Sequence, residues 1–299
     1  MSHLYLMTRL YNTMDKRRAC ELERVILKGG SVHTTYMPYR DSDEDHIKGD
    51  WKEEIFKRDI REIEKADILV GYWDGPAFDE GVGFEIGYGI AKGKSVIIVN
   101  DDFLSYGGDD STSSLRFPDP LVQALGIAVT GRIFSMSAVS TYEDDLCSTA
   151  NLTYQEVAQR IIDMPVAKRM PPVVGSERRH EGFVDPGSSR ILRSVLNKWA
   201  KQRNYLVARR FTETGNFLLA IQDIRDALTS RMVFVVSSGA EMTLGSSILC
   251  GLCYGFGVPF CVIDDRSMVP YSMTNVEMRT NLMIDVCCSG YLSLQDIEC

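Results

Sequence analysis

Histidine is scarce in this chain of 299 residues: the four present (His3, His33, His46 and His180) are scattered and form no ligand pattern. Long apolar runs are missing too. None reaches the ~18 residues that would cross a membrane. Met1 to Met7 lacks the charged start, apolar core and cleavage site of a secretory signal, and it is not an Arg- and Ser-rich transit peptide. Positive charge is outnumbered, with 33 Lys and Arg against 41 Asp and Glu and a formal net charge of −8. That argues against a nucleic-acid backbone as the main partner, because such binding needs a basic face. A nucleoside or free base stays open. The eight cysteines (Cys20, Cys147, Cys250, Cys253, Cys261, Cys287, Cys288 and Cys299) do not suggest a metal centre either. A zinc site needs four ligands converging from two regions, and the adjacent pair Cys287-Cys288 has the wrong spacing for the usual knuckle. Most of these residues sit in apolar surroundings, as in Leu249-Cys250-Gly251-Leu252-Cys253. They read as reduced core thiols in a reducing compartment.

What is present is the composition of a soluble globular protein, 44% hydrophobic and 25% charged, with length for two ordinary domains. The first half alternates strand and helix. His3–Met7, Ser31–Met37, Asp67–Trp73 and Ser95–Asn100 read as strands. Asp15–Lys28, Trp51–Lys65 and Gly83–Lys92 read as helices, and Arg40–Asp50 as a polar loop. Such alternation implies a parallel sheet covered on both faces. Residues 165–188, rich in Pro, Gly and charge, read as a linker between a first domain (1–164) and a second (189–299).

The second series copies the first at an offset of 164. Asp59-Ile60-Arg61 lands on Asp223-Ile224-Arg225, the strand Ile68–Gly71 on Met232–Val235, and Gly81, Gly87 and Gly93 on Gly245, Gly251 and Gly257. A single gapless offset over some forty residues marks a duplication.

The copies differ in their acids. Asp79 and Glu85 flank a glycine-rich helix start, and the second copy has Thr243 and Leu249 there. A position that accepts Leu is buried enough to make a carboxylate expensive, so Glu85 calls for a functional explanation. Near a helix N-terminus, free N–H groups and the dipole would hold it ionised, a suitable nucleophile toward an electrophilic sugar carbon. Gly81-x-Gly83-x-x-x-Gly87 is not read as a dinucleotide fingerprint. It follows its strand by several residues, and Asp79, Glu80 and Glu85 would repel a pyrophosphate. Asp59 and Asp79 can reach the carboxyl edge of the sheet. Three carboxylates around one crevice raise one another's pKa, so that one can stay protonated and serve as an acid.

These residues resemble the nucleoside 2-deoxyribosyltransferase family. The resemblance rests on Asp59, then Asp67-Ile68-Leu69-Val70, Asp74-Gly75, Asp79-x-Gly81-x-Gly83-x-Glu85-x-Gly87-Tyr88-Gly89 and Gly93-Lys94, with Tyr5 on the first strand. It is good over residues 1–105 and degenerate over 186–290. It implies a flavodoxin-like (Rossmann-type) doubly wound parallel sheet in each of two tandem α/β domains. It also implies Glu85 as nucleophile, Asp59 and Asp79 as supporting acids, and Tyr5 beside them. The family's Asn-Leu-Met motif, lent by a neighbouring subunit, is absent from the first copy, whose counterpart reads Phe117-Pro118-Asp119-Pro120-Leu121-Val122. The second copy has it as Asn281-Leu282-Met283. The expectation is an intramolecular pseudo-dimer with one complete site.

The implied chemistry is retaining transfer of 2-deoxyribose between bases through a glycosyl ester on Glu85, with no metal or redox cofactor. Tyr11 and Trp73 are candidates to stack on a base, Gly81 and Gly83 to line the substrate, and Arg9 to meet a 5′-phosphate. The implied partners are a nucleoside or nucleotide and a free nucleobase. Three alternatives stand beside this reading. Water as acceptor would make the site a nucleoside or nucleotide N-glycosidase. Protein partners docking on the inserts would make the chain a non-catalytic assembly subunit. A pure binding module for a nucleotide-like ligand is the third. The compartment expected is the cytoplasm, or the mitochondrion for an assembly subunit.

Overall fold

The structure, a computed structural model, describes residues 2–8, 13–28, 32–42, 51–73, 79–100, 120–125, 128–129, 159, 177–187, 190–209, 217–237, 242–264 and 281–298. Its first half runs β1 (Ser2–Met7), α1 (Thr13–Lys28), β2 (Val32–Tyr36), α2 (Pro38–Asp41), α3 (Trp51–Lys65), β3 (Ile68–Trp73), α4 (Glu80–Ala91), β4 (Ser95–Asn100), α5 (Pro120–Ala124) and β5 (Ala128–Val129). The second half runs β6 (Phe183–Asp185), α6 (Arg190–Gln202), β7 (Leu206–Val207), α7 (Phe217–Leu228), β8 (Val233–Ser237), α8 (Leu244–Gly255), β9 (Phe260–Asp264), α9 (Leu282–Cys287), β10 (Tyr291–Ser293) and α10 (Leu294–Glu298).

Each half builds one five-stranded, all-parallel sheet. The orders are β2-β1-β3-β4-β5 and β7-β6-β8-β9-β10. These are the same doubly wound, flavodoxin-like topology, in which ligands bind at the carboxyl edge where the strand order reverses. Successive side chains of a strand enter opposite faces. Ile68 and Val70 join the core under α1, while Leu69 joins a core shared by both halves. The second sheet repeats this arrangement, with Val184, Phe234 and Val236 packing against α6 and Phe183, Val233 and Val235 facing inward. Strands apolar on both faces are what a sheet with two covered faces requires.

The shared core is closed by α4 and α8, which make the most extensive helix–helix contact among the described residues. Residues 80–90 of α4 are all buried, so this helix has no solvent face. The contact is pseudo-symmetric. A Cβ at Gly87 would collide with the Ile248 carbonyl oxygen, and one at its counterpart Gly251 with the carbonyl oxygen of Phe84, the counterpart of Ile248. Gly83 lies against Ser247 and Ala91 against Gly255, each pair again 164 apart. Small residues at i, i+4 and i+8 on both helices let the backbones touch. The two halves thus form an intramolecular pseudo-dimer about these helices.

Two expectations about elements change. β6 lies inside the stretch read as linker, and it is an interior strand of the second sheet. Its three residues carry Phe183 and Val184, both fully buried, but the following Pro186-Gly187 gave the segment the composition of a turn. Residues 165–176 and 188 of that stretch lie outside the described part. α4 begins three residues earlier than its spacing suggests, because Asp79 caps it.

Among the described residues no helix is long and apolar enough to cross a membrane, and no group of His, Cys, Asp or Glu could hold a metal ion. Cys250 and Cys253 are buried and free, and burial pushes both thiols up. Cys20, however, is exposed. Cys147 and Cys299 lie outside the described residues.

Candidate active site

Four elements of the first half and one loop of the second converge beside the carboxyl end of β1. Odd-numbered residues of β1 face α4, which brings the Tyr5 hydroxyl to donate to Glu85 Oε1 at 2.5 Å. On the neighbouring strand, Tyr36 stacks on Tyr5, with centroids 5.3 Å apart, and donates to Asp59 Oδ1 of α3 at 3.0 Å. Two stacked phenols therefore each hold one acid. Glu85 is 5% exposed and Asp59 4%, and carboxylates this deep are costly without such partners.

Burial drives the Glu85 carboxyl well above the usual carboxylate range. The charges of Asp59 and, more weakly, Asp79 push the same way, and the Tyr5 bond opposes them. Tyr5 itself is raised well above the ordinary phenol value, by burial first and then by the charges of Asp59 and Glu85. The helix-end account of Glu85 is thereby corrected. Glu85 is the sixth residue of α4, in its second turn, and the N-terminal N–H groups are taken elsewhere. Asp79 Oδ1 accepts from Gly81 N at 2.8 Å and Val82 N at 3.1 Å, as an N-cap does.

Asn281 reaches this cap from the second half. Its Nδ2 donates to Asp79 Oδ1 at 3.3 Å, while its own Oδ1 caps α9 by accepting from Met283 N at 2.9 Å. Gly81 makes room: a Cβ there would stand 2.6 Å from Asn281 Oδ1. Asn281 is held in turn by Glu80, whose Oε2 accepts from Asn281 N at 3.0 Å and whose Oε1 accepts from Met242 N at 2.5 Å. Lys52 of α3 and Asp285 of α9 add an ion pair at 3.2 Å between the halves.

The structure thus brings together Tyr5, Asp59, Asp79, Glu85, Gly81 and Asn281. It does not bring Gly83 to the substrate side, because Gly83 faces Ser247 on α8, where the helix contact demands a missing side chain. Arg9, Tyr11 and the side chain of Trp73 lie outside the described residues. Two partners were not singled out in the sequence. Tyr36 left no signal beyond being aromatic in a strand. Glu80 did leave one, since its counterpart is Leu244, the same acid-to-leucine exchange that marks Glu85.

The corresponding place in the second half has been rebuilt. Tyr5 pairs with Leu69, and Phe183 pairs with Val233, the counterpart of Leu69; Phe183 therefore stands where Tyr5 does. Leu249 replaces Glu85 and is 1% exposed, and Thr243 replaces Asp79 as helix cap. Asp223, the counterpart of Asp59, accepts the Arg209 backbone N–H on both oxygens at 3.0 Å. Phenol and nucleophile candidate have both become hydrocarbon.

The family model of the nucleoside 2-deoxyribosyltransferases matches residues 4–151. Over 50 residues the chain is 50% identical to a protein of Thermofilum pendens (strain DSM 2475 / Hrk 5) named "Putative 2'-deoxynucleoside 5'-phosphate N-hydrolase 1". That stretch is 17% of this chain and 34% of the relative, so the chain spans about a third of the relative's length. Among solved structures, the 2-deoxyribosyltransferase of Bacillus psychrosaccharolyticus is 24% identical, with 36% of this chain and 77% of that one covered and a TM-score of 0.32. The CMP N-glycosidase of Clostridium botulinum is 16% identical, with 53% and 96% covered and a TM-score of 0.30.

Proposed function

We propose that this chain, whose residues 4–151 match the family model of the nucleoside 2-deoxyribosyltransferases, is an enzyme that moves 2-deoxyribose between nucleobases at a single site in its first half. The observation that carries this reading is the Glu85 carboxylate, buried in a place where the second copy has leucine and bonded by the Tyr5 hydroxyl with two further acids beside it. In this reading Glu85 attacks the anomeric carbon on the face opposite the base. The bond from that carbon to the base nitrogen breaks, and its electron pair leaves with the base. Asp79 Oδ1 accepts three N–H groups. Asp79 or Asp59 supplies the proton, or a hydrogen bond, to the departing base. A nitrogen of a second base then attacks the same anomeric carbon from the face the first base left, its proton passing to that acid as the Glu85 carboxylate departs, with retention. The substrates are a nucleoside or nucleotide and a free nucleobase, and the chemistry needs no cofactor.

A second reading is hydrolysis, with water as acceptor, favoured by the half-identical stretch shared with the Thermofilum protein. Incubating the pure chain with deoxyinosine and adenine, beside Glu85→Ala, separates the two. Deoxyadenosine formed by the native chain and lost in the variant supports transfer. Hypoxanthine released without deoxyadenosine supports hydrolysis. No turnover across a panel of nucleosides and nucleotides would refute both and leave a non-catalytic subunit.

A further inference from the structure

We propose that Glu80 is a positioning residue that delivers Asn281 from the second half to Asp79. The inference rests on the reading above in that Asn281 serves the site, but its geometry stands apart from any activity.

Glu80 is the first residue of α4, 9% exposed, and both its oxygens are engaged across the divide between the halves. One accepts from Met242 N, just before α8, and the other from Asn281 N, just before α9. A single carboxylate therefore fixes two separate loops of the second half. Fixing the backbone of Asn281 fixes what its side chain can reach. With Oδ1 committed to the cap of α9, Nδ2 is turned toward Asp79 Oδ1. A carboxylate at the first position of a helix is favoured by the dipole alone, but that effect would not require two acceptor bonds to another domain.

The duplication supplies an internal control. The counterpart of Glu80 is Leu244, 8% exposed, so packing at the start of this helix is satisfied by a hydrocarbon. The offset is 162 in this part of the chain, because Ile98 pairs with Val129 and its counterpart Val262 with Tyr291, so the counterpart of Asn281 is Asp119. The reciprocal staple has thus lost its glutamate, and it would have served the half whose nucleophile position is Leu249. The polar staple has been kept only in the direction that serves Glu85. Packing alone gives no reason for this covariation, whereas delivery of Asn281 does.

The test compares Glu80→Leu, Glu80→Gln, Asn281→Ala and the Glu80→Leu/Asn281→Ala double variant in the full chain. Two readouts are used: steady-state transfer kinetics, and the ¹⁵N–H₂ resonances of the Asn281 side chain, assigned by their loss in Asn281→Ala. Loss of one hydrogen bond to a charged group lowers a rate roughly tenfold to a hundredfold. Asn281→Ala and Glu80→Leu are expected to lose kcat by that same factor. The double variant should lose no more than about twofold beyond either single one, because both remove one interaction. Glu80→Gln keeps one acceptor and should fall between. The Asn281 amide signals should move in Glu80→Leu. Multiplicative losses in the double variant, or Asn281 signals unmoved in a folded Glu80→Leu, would overturn the proposal. If the native chain turns over no substrate, the functional reading fails by itself and the resonances still decide whether Glu80 holds Asn281.

Discussion

Tyr5 and Glu85 form the buried pair on which the proposed chemistry turns, and their coupling fixes a pH dependence. In the proposed reaction Glu85 must be ionised to attack, and burial with two neighbouring acids raises its pKa. The acid limb of kcat/KM is therefore expected above the ordinary carboxylate range. The Tyr5 hydroxyl donates to the ionised form and holds that pKa down. In Tyr5→Phe it should rise further, moving the limb to higher pH and lowering the rate at neutral pH roughly tenfold to a hundredfold. A pH–rate profile of both proteins checks the shift, and a limb that stays put or moves down would contradict it. The same raised pKa has a cost for folding. A carboxyl whose folded pKa lies above its unfolded value loses stability as pH climbs between the two, so ionised Glu85 weakens the fold at neutral pH. Glu85→Leu, which copies Leu249, is expected to be inactive yet more stable at pH 7, by about 1–3 kcal/mol. Thermal unfolding at pH 4 and pH 7 measures this. The gain should be larger at pH 7. At this scale the sequence was informative where the two copies could be compared. Exchanges to Leu or Thr marked Glu85 and Asp79, whereas Tyr36 lies outside the gapless offset and its exchange to Leu206 shows only in the strand register. The sequence left the pKa of Glu85 pulled two ways, down by a helix end and up by burial and neighbouring acids, and the coordinates give the upward direction with burial as its first cause.

Among the elements, α4 carries the most constraints. Its N-cap is Asp79, its first residue staples the second half, its sixth is Glu85, and its opposite face is a row of small residues against α8. A helix that touches another backbone to backbone cannot tolerate a methyl group. In an exposed helix Gly→Ala adds up to about 1 kcal/mol of stability. Here the sign should reverse: Gly87→Ala and Gly251→Ala are each expected to lose roughly 1–3 kcal/mol, the scale of core overpacking. Urea titration would show this as a lower midpoint, and a stabilised Gly87→Ala would refute the close contact. The glycine spacing was visible in the sequence. Its purpose was only half legible, since Gly83 was assigned to the substrate and in fact faces the other helix. Strand-by-strand alternation gave most of the sheet. β6 escaped because three residues are too short to show a period, and a Pro-Gly turn follows them.

For the molecule as a whole, the duplication has turned two copies of one fold into a single unit with unequal halves. One copy holds the acids, and the other holds the asparagine and has hydrocarbon at Phe183 and Leu249 where Tyr5 and Glu85 stand. The shared offset in sequence announced this duplication, and the equivalent strand orders express it in three dimensions. The account's central claim is one covalent site per chain, at Glu85. Its most direct test is to incubate the protein with a 2′-deoxynucleoside, quench in acid and weigh the intact chain, then digest it and locate the adduct. The account predicts a single 2-deoxyribosyl group per chain, on the peptide containing Glu85 and absent from Glu85→Ala. Turnover with no adduct, or an adduct on any other residue, would contradict it.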